Sequence, residues 1–288
     1  MHSHDYILTL SCPDTTGIVF HVSDFLFQRS CNILDSAQYG DESTGLFFMR
    51  VHFSVAQAEA ARLTLDLLKS EFERIGQQFQ MNWGMFDPKT KPRLLLMVSK
   101  FGHCLNDLLF RWKTGQLQCD IPAIVSNHPE FALLAASYGI PFYHLPLNAA
   151  GKAQQERQVM QIMERESIDL VVLARYMQIL SADMCEALRG RAINIHHSFL
   201  PSFKGAKPYQ QAHDRGVKLI GATAHYVTAD LDEGPIIEQD VARADHAMNP
   251  ESLAALGLDV ECQVLARAVR WHCEHRILLN GHKTVVFK

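Results

Sequence analysis

Apolar positions along the chain change their spacing near residue 90. Before that point, strand and helix signals alternate. "YILTLSC" (6–12) is a short run of β-favouring residues, broken by "CPDTTG" (12–17). Ile18, Val22, Phe25 and Leu26 then recur at helical spacing. "NILDSAQYG" (32–40) and "GLFFMRVHFSV" (45–55) read as two strands joined by the polar turn "GDESTG" (40–45). Ala61, Leu65, Leu68, Phe72 and Ile75 form a second helical stripe, and "FQMNWGM" (79–85) predicts a closing strand. The order βαββαβ predicts a compact antiparallel sheet with two helices on one face.

"FDPKTKPR" (86–93) is polar, carries two prolines and has no periodicity, so it reads as a linker. Beyond it the pattern is different. "RLLLMVS" (93–99), "IPAIVSN" (121–127) and "DLVVLA" (169–174) are continuous apolar runs separated by helical segments. Such runs predict parallel strands covered on both faces. "AINIH" (192–196), "KLIGATAHYV" (218–227) and "PIIEQDVA" (235–242) add later strands. Asn249-Pro250-Glu251 predicts a helix start, with an amide at the N-cap and proline at the first position. The expected organisation is a first domain over 1–84, a linker over 85–92 and an α/β domain with a Rossmann-like half and a mostly parallel sheet over 93–288.

Composition narrows the class. The 288 residues are 48% hydrophobic and 20% charged, with a net charge of -4, so no basic excess points to nucleic acid or an anionic membrane. No apolar run approaches the roughly 20 residues that span a bilayer. The seven cysteines stand singly, an odd number without a C-x-x-C pair, as expected of free thiols in a reducing compartment. The first residues lack the basic and apolar regions of a secretion signal. The expectation is a cytoplasmic protein without membrane or nucleic-acid partners.

The motif inventory is mostly negative. Neither G-x-G-x-x-G nor G-x-x-x-x-G-K-[ST] occurs, and the turn after the first α/β strand, "SKFGHCL" (99–105), has one glycine where a phosphate cradle wants several. His2 with His4, and His272 with His275, are the histidine pairs nearest to metal-ligand spacing, and neither makes a zinc pattern, so no metal is expected. Ser198 lacks the G-x-S-x-G elbow of a serine nucleophile. Two polar clusters remain. In "INIHHSFLPSFKG" (193–205), alternation places Asn194 and His196 on one face of a strand that otherwise buries Ile193 and Ile195. In "HYVTADLDEGPII" (225–237), a strand runs into Asp230, Asp232 and Glu233 before Gly234-Pro235 turns the chain. Ligands of open α/β sheets sit outside the carboxyl ends of strands, where both clusters fall. From the residues alone they fit either one catalytic cleft or loop-capping Asx turns around a core histidine.

The paired segments "NIHHSFLPSFKG" and "HYVTADLDEGPII" resemble the signature of the folate-dependent formyltransferase superfamily, and most closely its hydrolytic branch. Residues 1–84 resemble an ACT domain of ferredoxin-like βαββαβ fold, through "PDTTGIV" (13–19) followed by "NI" (32–33). Together the resemblances cover essentially the whole chain. They imply catalytic roles for Asn194, His196 and Asp232, with Asp232 rather than Asp230 as the acid. They imply folate-binding walls at Met177, Gln178, Ile179 and Leu180, at His197, Ser198, Leu200 and Gly205, and at Ala229, Asp230, Leu231 and Gly234. His197 departs from the transferases, many of which have proline there. In the ACT-like part, Asp14, Gly17, Ile18, Asn32 and Ile33 become candidates for an effector site.

The implied chemistry is attack on the formyl carbon of 10-formyltetrahydrofolate, giving a tetrahedral oxyanion. An amide and a protonated imidazole aimed at that oxygen would each be worth about 10²–10³ in rate. Asp232 has two expected jobs: favouring the cationic form of His196, and orienting or deprotonating water. "SKFGHCL" lacks the small polar donors with which the superfamily's glycinamide ribonucleotide transformylases hold a phosphate, so water is the expected acceptor. The resemblance thus implies hydrolysis to tetrahydrofolate and formate, which would supply formate for purine biosynthesis and balance the one-carbon pool, with no cofactor beyond the reduced folate. A formyltransferase acting on an amine, and a non-catalytic amino-acid sensor, are the alternatives. Glycine or methionine is the expected effector and a homo-oligomer the expected assembly. Lys100, Lys204 and Lys207 are candidates to meet the folate's glutamate tail, although a solvated lysine accounts for each as well.

Overall fold

The computed structural model describes residues 4–56, 59, 62–147, 151–197 and 208–288. The chain forms two compact units, Met1–Thr90 with Glu274–Lys288, and Lys91–Cys273.

The first unit runs β1 (His4–Pro13), α1 (Ile18–Phe27), β2 (Cys31–Asp41), β3 (Leu46–Val55), α2 (Leu65–Gln78) and β4 (Asn82–Phe86). Its strands make one antiparallel sheet in the order β2-β3-β1-β4. The α1 stripe Ile18, Val22, Phe25 and Leu26 is buried as its spacing predicts. Thr64 caps α2 by accepting from the Leu67 N–H at 3.3 Å. Ala61, expected on the same stripe, lies outside the described residues. Phe25 and Trp83 both meet Phe72 edge-on, with centroids 5.1 and 4.9 Å apart, tying both helices and β4 into one core. β4 continues past residue 84, where the sequence pattern ended the domain. Met85, fully buried, pairs with Leu8, and Phe86 pairs with Ile7, so the linker is shorter than expected.

The second unit runs β5 (Arg93–Val98), α3 (His103–Lys113), β6 (Asp120–Ser126), α4 (Ala132–Ser137), β7 (Phe142–His144), α5 (Lys152–Arg165), β8 (Leu170–Leu173), α6 (Ala182–Ala187), β9 (Ala192–His196), α7 (Pro208–Asp214), β10 (Leu219–Tyr226), β11 (Ile236–Arg243) and α8 (Pro250–Cys273). Seven strands form one sheet in the order β11-β10-β9-β8-β5-β6-β7. β5 to β9 are parallel, whereas β10 pairs antiparallel with both β9 and β11. The unit is therefore α/β with a mostly parallel sheet. Asn249 caps α8 through its side-chain oxygen, which accepts from the Ser252 N–H at 2.8 Å. The chain order turns back between β5 and β8, because β6 and β7 lie on one side of β5 and β8 and β9 on the other. In such sheets the crevice beyond the strands' carboxyl ends at this reversal is where ligands bind.

The last residues depart from the expected division. β12 (Ile277–Asn280) and β13 (Lys283–Val286) form an antiparallel hairpin that belongs to the first unit, not to the α/β domain. Polar contacts of long sequence separation hold it there. Asp41 accepts from Asn280 Nδ2 at 2.6 Å and from Lys283 Nζ at 2.9 Å. Arg50, 3% exposed, donates to the carbonyls of Glu274 and His275 at 3.1 Å each.

Candidate active site

Strand β9 delivers the first side chains. Ile193 and Ile195 are buried, and the alternate positions Asn194 and His196 face a cavity of about 230 Å³. The antiparallel register sets His225 of β10 directly across from Asn194, so two polar side chains meet on one sheet face. Beyond β10 the loop folds back over the strand end, and Asp232 sits in a left-handed conformation with φ 58°. Gly234 permits the fold-back: a Cβ there would lie 1.7 Å from the Tyr226 carbonyl oxygen.

The four polar side chains converge. His196 Nε2 lies 3.4 Å from Asp232 Oδ2, and His225 Nε2 lies 3.7 Å from Asp232 Oδ1. Asn194 Nδ2 approaches His225 Nε2 at 3.4 Å. His225 Nδ1 donates to the Tyr226 carbonyl at 2.9 Å, which fixes the ring with Nε2 toward the cavity. His225 is 2% exposed, His196 14% and Asp232 28%, so the carboxylate is set between two imidazoles at the cavity wall. The His225 ring beside it, and the charges of the neighbouring histidines, hold the Asp232 carboxyl below its ordinary range against the opposing effect of burial. Burial pushes His197 down to about 4, and the Arg175 and His196 charges push the same way, so this ring is neutral at pH 7.

Most of the expected binding residues line the same cavity. Met177, Gln178, Ile179 and Leu180 come from the segment after β8, and Ala229, Asp230 and Leu231 from the loop after β10. Met177, Ile179 and Leu231 are each more than half exposed, an apolar rim suited to a flat ring system. Ser99, at the end of β5, stitches the strand ends: its hydroxyl accepts from the Met177 N–H at 2.9 Å and donates to Asn127 Oδ1 at 2.7 Å. Gly234 shapes the loop and is not among the cavity's lining residues. Ser198, Leu200, Gly205, Lys204 and Lys207 lie outside the described residues. Lys100 is exposed.

Two features escaped sequence reading. His225 opens the second motif, yet only the β9–β10 register puts it on Asn194. The other is a buried charge network next to the cavity. Glu261 of α8, fully buried, accepts from His103 Nε2 at 2.8 Å and from the Tyr209 hydroxyl at 3.1 Å, and Arg175 Nε lies 3.5 Å away. Burial alone would raise the Glu261 carboxyl, but the His103 hydrogen bond and the Arg175 charge bring it below its ordinary value. The ligating atoms of His103, Cys104 and Glu261 lie within 4.8 Å of one another, the one such grouping among the described residues. Arg175 already supplies the positive charge a cation would bring there. Of the histidine pairs noted in the sequence, His272 bonds the Tyr226 hydroxyl through Nδ1 at 2.7 Å and His275, past the end of α8, stacks on Phe86, while His2 lies outside the described residues.

In the first unit Gly17, at φ 95°, turns the chain into α1, and a Cβ on Gly40 would lie 3.2 Å from the Asp14 carboxylate. Asn32 and Ile33 are exposed on β2. Ile18 is 2% exposed and packs in the core, which leaves its side chain no surface for an effector.

Residues 92–269 match the family model described as formyl transferase. A formyltetrahydrofolate deformylase of Corynebacterium sp. (strain P-1) is 48% identical over 283 residues, 98% of both chains. That of Synechocystis sp. (strain ATCC 27184 / PCC 6803 / Kazusa) is 49% identical over 97% of each. The crystal structure of formyltetrahydrofolate deformylase from Burkholderia mallei ATCC 23344 superposes with a TM-score of 0.95 at 54% identity, covering 99% of this chain and all of that one. A formyl transferase unit with this polar cluster at its strand ends, and a likeness that runs through both units, place the chain in the formyltetrahydrofolate deformylase family.

Proposed function

We propose that the chain hydrolyses 10-formyltetrahydrofolate to tetrahydrofolate and formate, with Asn194, His196 and Asp232 as its catalytic residues. The observation that carries this reading is the meeting of an amide, an imidazole and a carboxylate in one cavity, with His196 and Asp232 3.4 Å apart. Water attacks the formyl carbon, and the oxyanion that forms takes hydrogen bonds from Asn194 Nδ2 and from protonated His196. Asp232 favours the cationic form of His196 and orients the water. His225, anchored on the Tyr226 carbonyl through Nδ1–H, accepts from the Asn194 amide through Nε2 and so positions it. The pterin lies against the segment 177–180 and the loop 229–231, and no metal or other cofactor takes part. The test is incubation with 10-formyltetrahydrofolate and no acceptor. Formate should appear in step with tetrahydrofolate, and glycinamide ribonucleotide should not accelerate turnover. Accumulation of a formylated amine with only trace formate would show the reading to be wrong.

The formate would serve purine biosynthesis and the balance of one-carbon units. The antiparallel unit, whose βαββαβ order supports the ACT-like reading, would act as a regulatory module in a homo-oligomer. Asp14, Gly17, Asn32 and the backbone at Ile18 and Ile33 would bind a small amino acid, glycine or methionine. Exposed apolar side chains on edge strand β2, Ile33, Leu34 and Tyr39, support assembly through this strand. Calorimetric titration with each amino acid, with sedimentation in its presence and absence, tests the module. No heat from any amino acid and a monomeric chain would dismiss it. The compartment proposed is the cytoplasm, consistent with the seven free thiols. Among the described residues no helix is long and apolar enough to cross a membrane.

A further inference from the structure

Arg175 follows β8 at the point where the strand order reverses, in a left-handed conformation with φ 64°. Its side chain is 11% exposed and lines the cavity that holds Asn194, His196 and Asp232. A guanidinium offers five donors in a fixed planar fork. Here, among the described residues, it donates no hydrogen bond: Nε is buried without a partner, 3.5 Å from Glu261 Oε2, and Cζ lies 5.7 Å from the centre of the Phe101 ring. Glu261 takes its hydrogen bonds from His103 and Tyr209, and Nε is the guanidinium atom that faces it. Glu261 supplies the opposite charge that makes burying the guanidinium tolerable. Next to this fork, His197 stacks on His196 with centroids 4.8 Å apart, and its ring has no hydrogen bond among the described residues. A buried donor without a hydrogen bond is rare in native proteins; with Nε turned to Glu261, the donors that a ligand in the cavity would meet are those of the Nη edge.

We infer that Arg175, with His197 beside it, forms a carboxylate subsite that receives formate; this rests on the hydrolytic reading above. The bond changes supply the ligand. The water oxygen joins the formyl carbon, and the C–N10 bond breaks with its electron pair moving to N10, which takes a proton. The formic acid so released loses its remaining acidic proton to solvent. The two equivalent oxygens of formate match the two-pronged donor edge of a guanidinium. The formamide-like substrate has no carboxylate at its reacting end, so the fork is engaged only as the bond breaks, which favours forward collapse over return.

A second carboxylate source is the glutamate tail of the folate, and the experiment separates the two. The full chain and its Arg175→Lys and Arg175→Gln variants are titrated with ¹³C-formate, following line broadening on the resting enzyme. Arg175→Lys keeps the charge facing Glu261 and guards against a variant that fails to fold, which thermal melting checks. The native chain should broaden the formate signal, and each variant should bind formate about tenfold or more weakly, the loss of a charge-assisted bidentate pair. Unchanged formate binding in a folded variant overturns the subsite. So does a variant that weakens tetrahydrofolate but not tetrahydropteroate, since the carboxylate would then be the folate's own. Formate binding by a native chain that releases none from 10-formyltetrahydrofolate counts against the hydrolytic reading and leaves the subsite standing.

Discussion

The two sheets of this molecule use their surfaces in opposite ways. β5 buries every residue from Leu94 to Val98, at 1% exposure or less, whereas β2 buries only Asp41 of its eleven residues. Where helices cover both faces, polar side chains have no place along a strand and collect at the strand ends, as Ser99, His196 and Arg175 do. Where an edge is left open, apolar side chains such as Ile33, Leu34 and Tyr39 stand in water. One sheet gathers polar side chains at its strand ends, and the other leaves apolar side chains exposed on an open edge, the edge proposed above for assembly.

The contrast breaks most sharply at Asp232. Asp232→Asn should lower kcat by about 10² or more in a chain that still folds by circular dichroism, because in the proposed mechanism His196 loses the carboxylate that favours its cationic form. His196→Ala and Asn194→Ala should each cost about 10²–10³ in kcat, as for the loss of one oxyanion donor. Asp230→Asn is the control, since that side chain stands on the same loop without touching the histidines. Equal losses at 230 and 232 would place the acid wrongly. Gly234→Ala comes next. Its Cβ cannot coexist with the Tyr226 carbonyl 1.7 Å away, so the loop must lift and carry Asp232 off His196. A fall of about tenfold in kcat/KM with an intact α/β unit by circular dichroism is expected, in line with the cost of small displacements in a site.

Local pattern reached much of this arrangement. "AINIH" gave its strand to the residue, Asn249 capped the last long helix, and the stripe at 18, 22, 25 and 26 packed inward. What local pattern could not reach was set by distance along the chain. The direction of β10 and β11 is invisible in an apolar run, which reads alike in parallel and antiparallel pairing. The C-terminal hairpin joins the first unit through Asn280 and Lys283 on Asp41, more than 230 residues away. His225 gains its meaning only from being set across from Asn194. Arg175 likewise gains its meaning only from Glu261, far along the chain.

The open edge yields a smaller effect, on assembly rather than turnover. Leu34→Lys, at a position 50% exposed, should leave the monomer's stability within about 0.5 kcal/mol, as surface changes usually do. It should weaken self-association about tenfold or more in sedimentation equilibrium, since a lysine on an edge opposes strand pairing. An unaltered association constant would mean that β2 is not the joining edge.

The smallest effect is a pH dependence at the cavity. His197 titrates at about 4 in the folded chain, and an unfolded histidine titrates near 6.5. Between those values the unfolded chain binds the extra proton and the folded chain does not, so stability falls as pH falls through that window. At pH 5 the loss from this one group is at most about 2 kcal/mol, and it stops growing below about 4. The groups facing the ring are Arg175, His196, Glu261 and Asp232. The two carboxylates, both held below their ordinary values, also lose stability on acidification, but only from about pH 4.5 downward, beneath most of the His197 window. His197→Gln removes the imidazole and keeps a polar side chain of similar length. Urea titrations at pH 7.5, 6, 5 and 4.5 should show the variant gaining on the native chain as the pH drops, with the difference opening below about 6.5. A constant difference across that series would mean that His197 titrates alike in the folded and unfolded chain, and that burial does not hold its ring neutral.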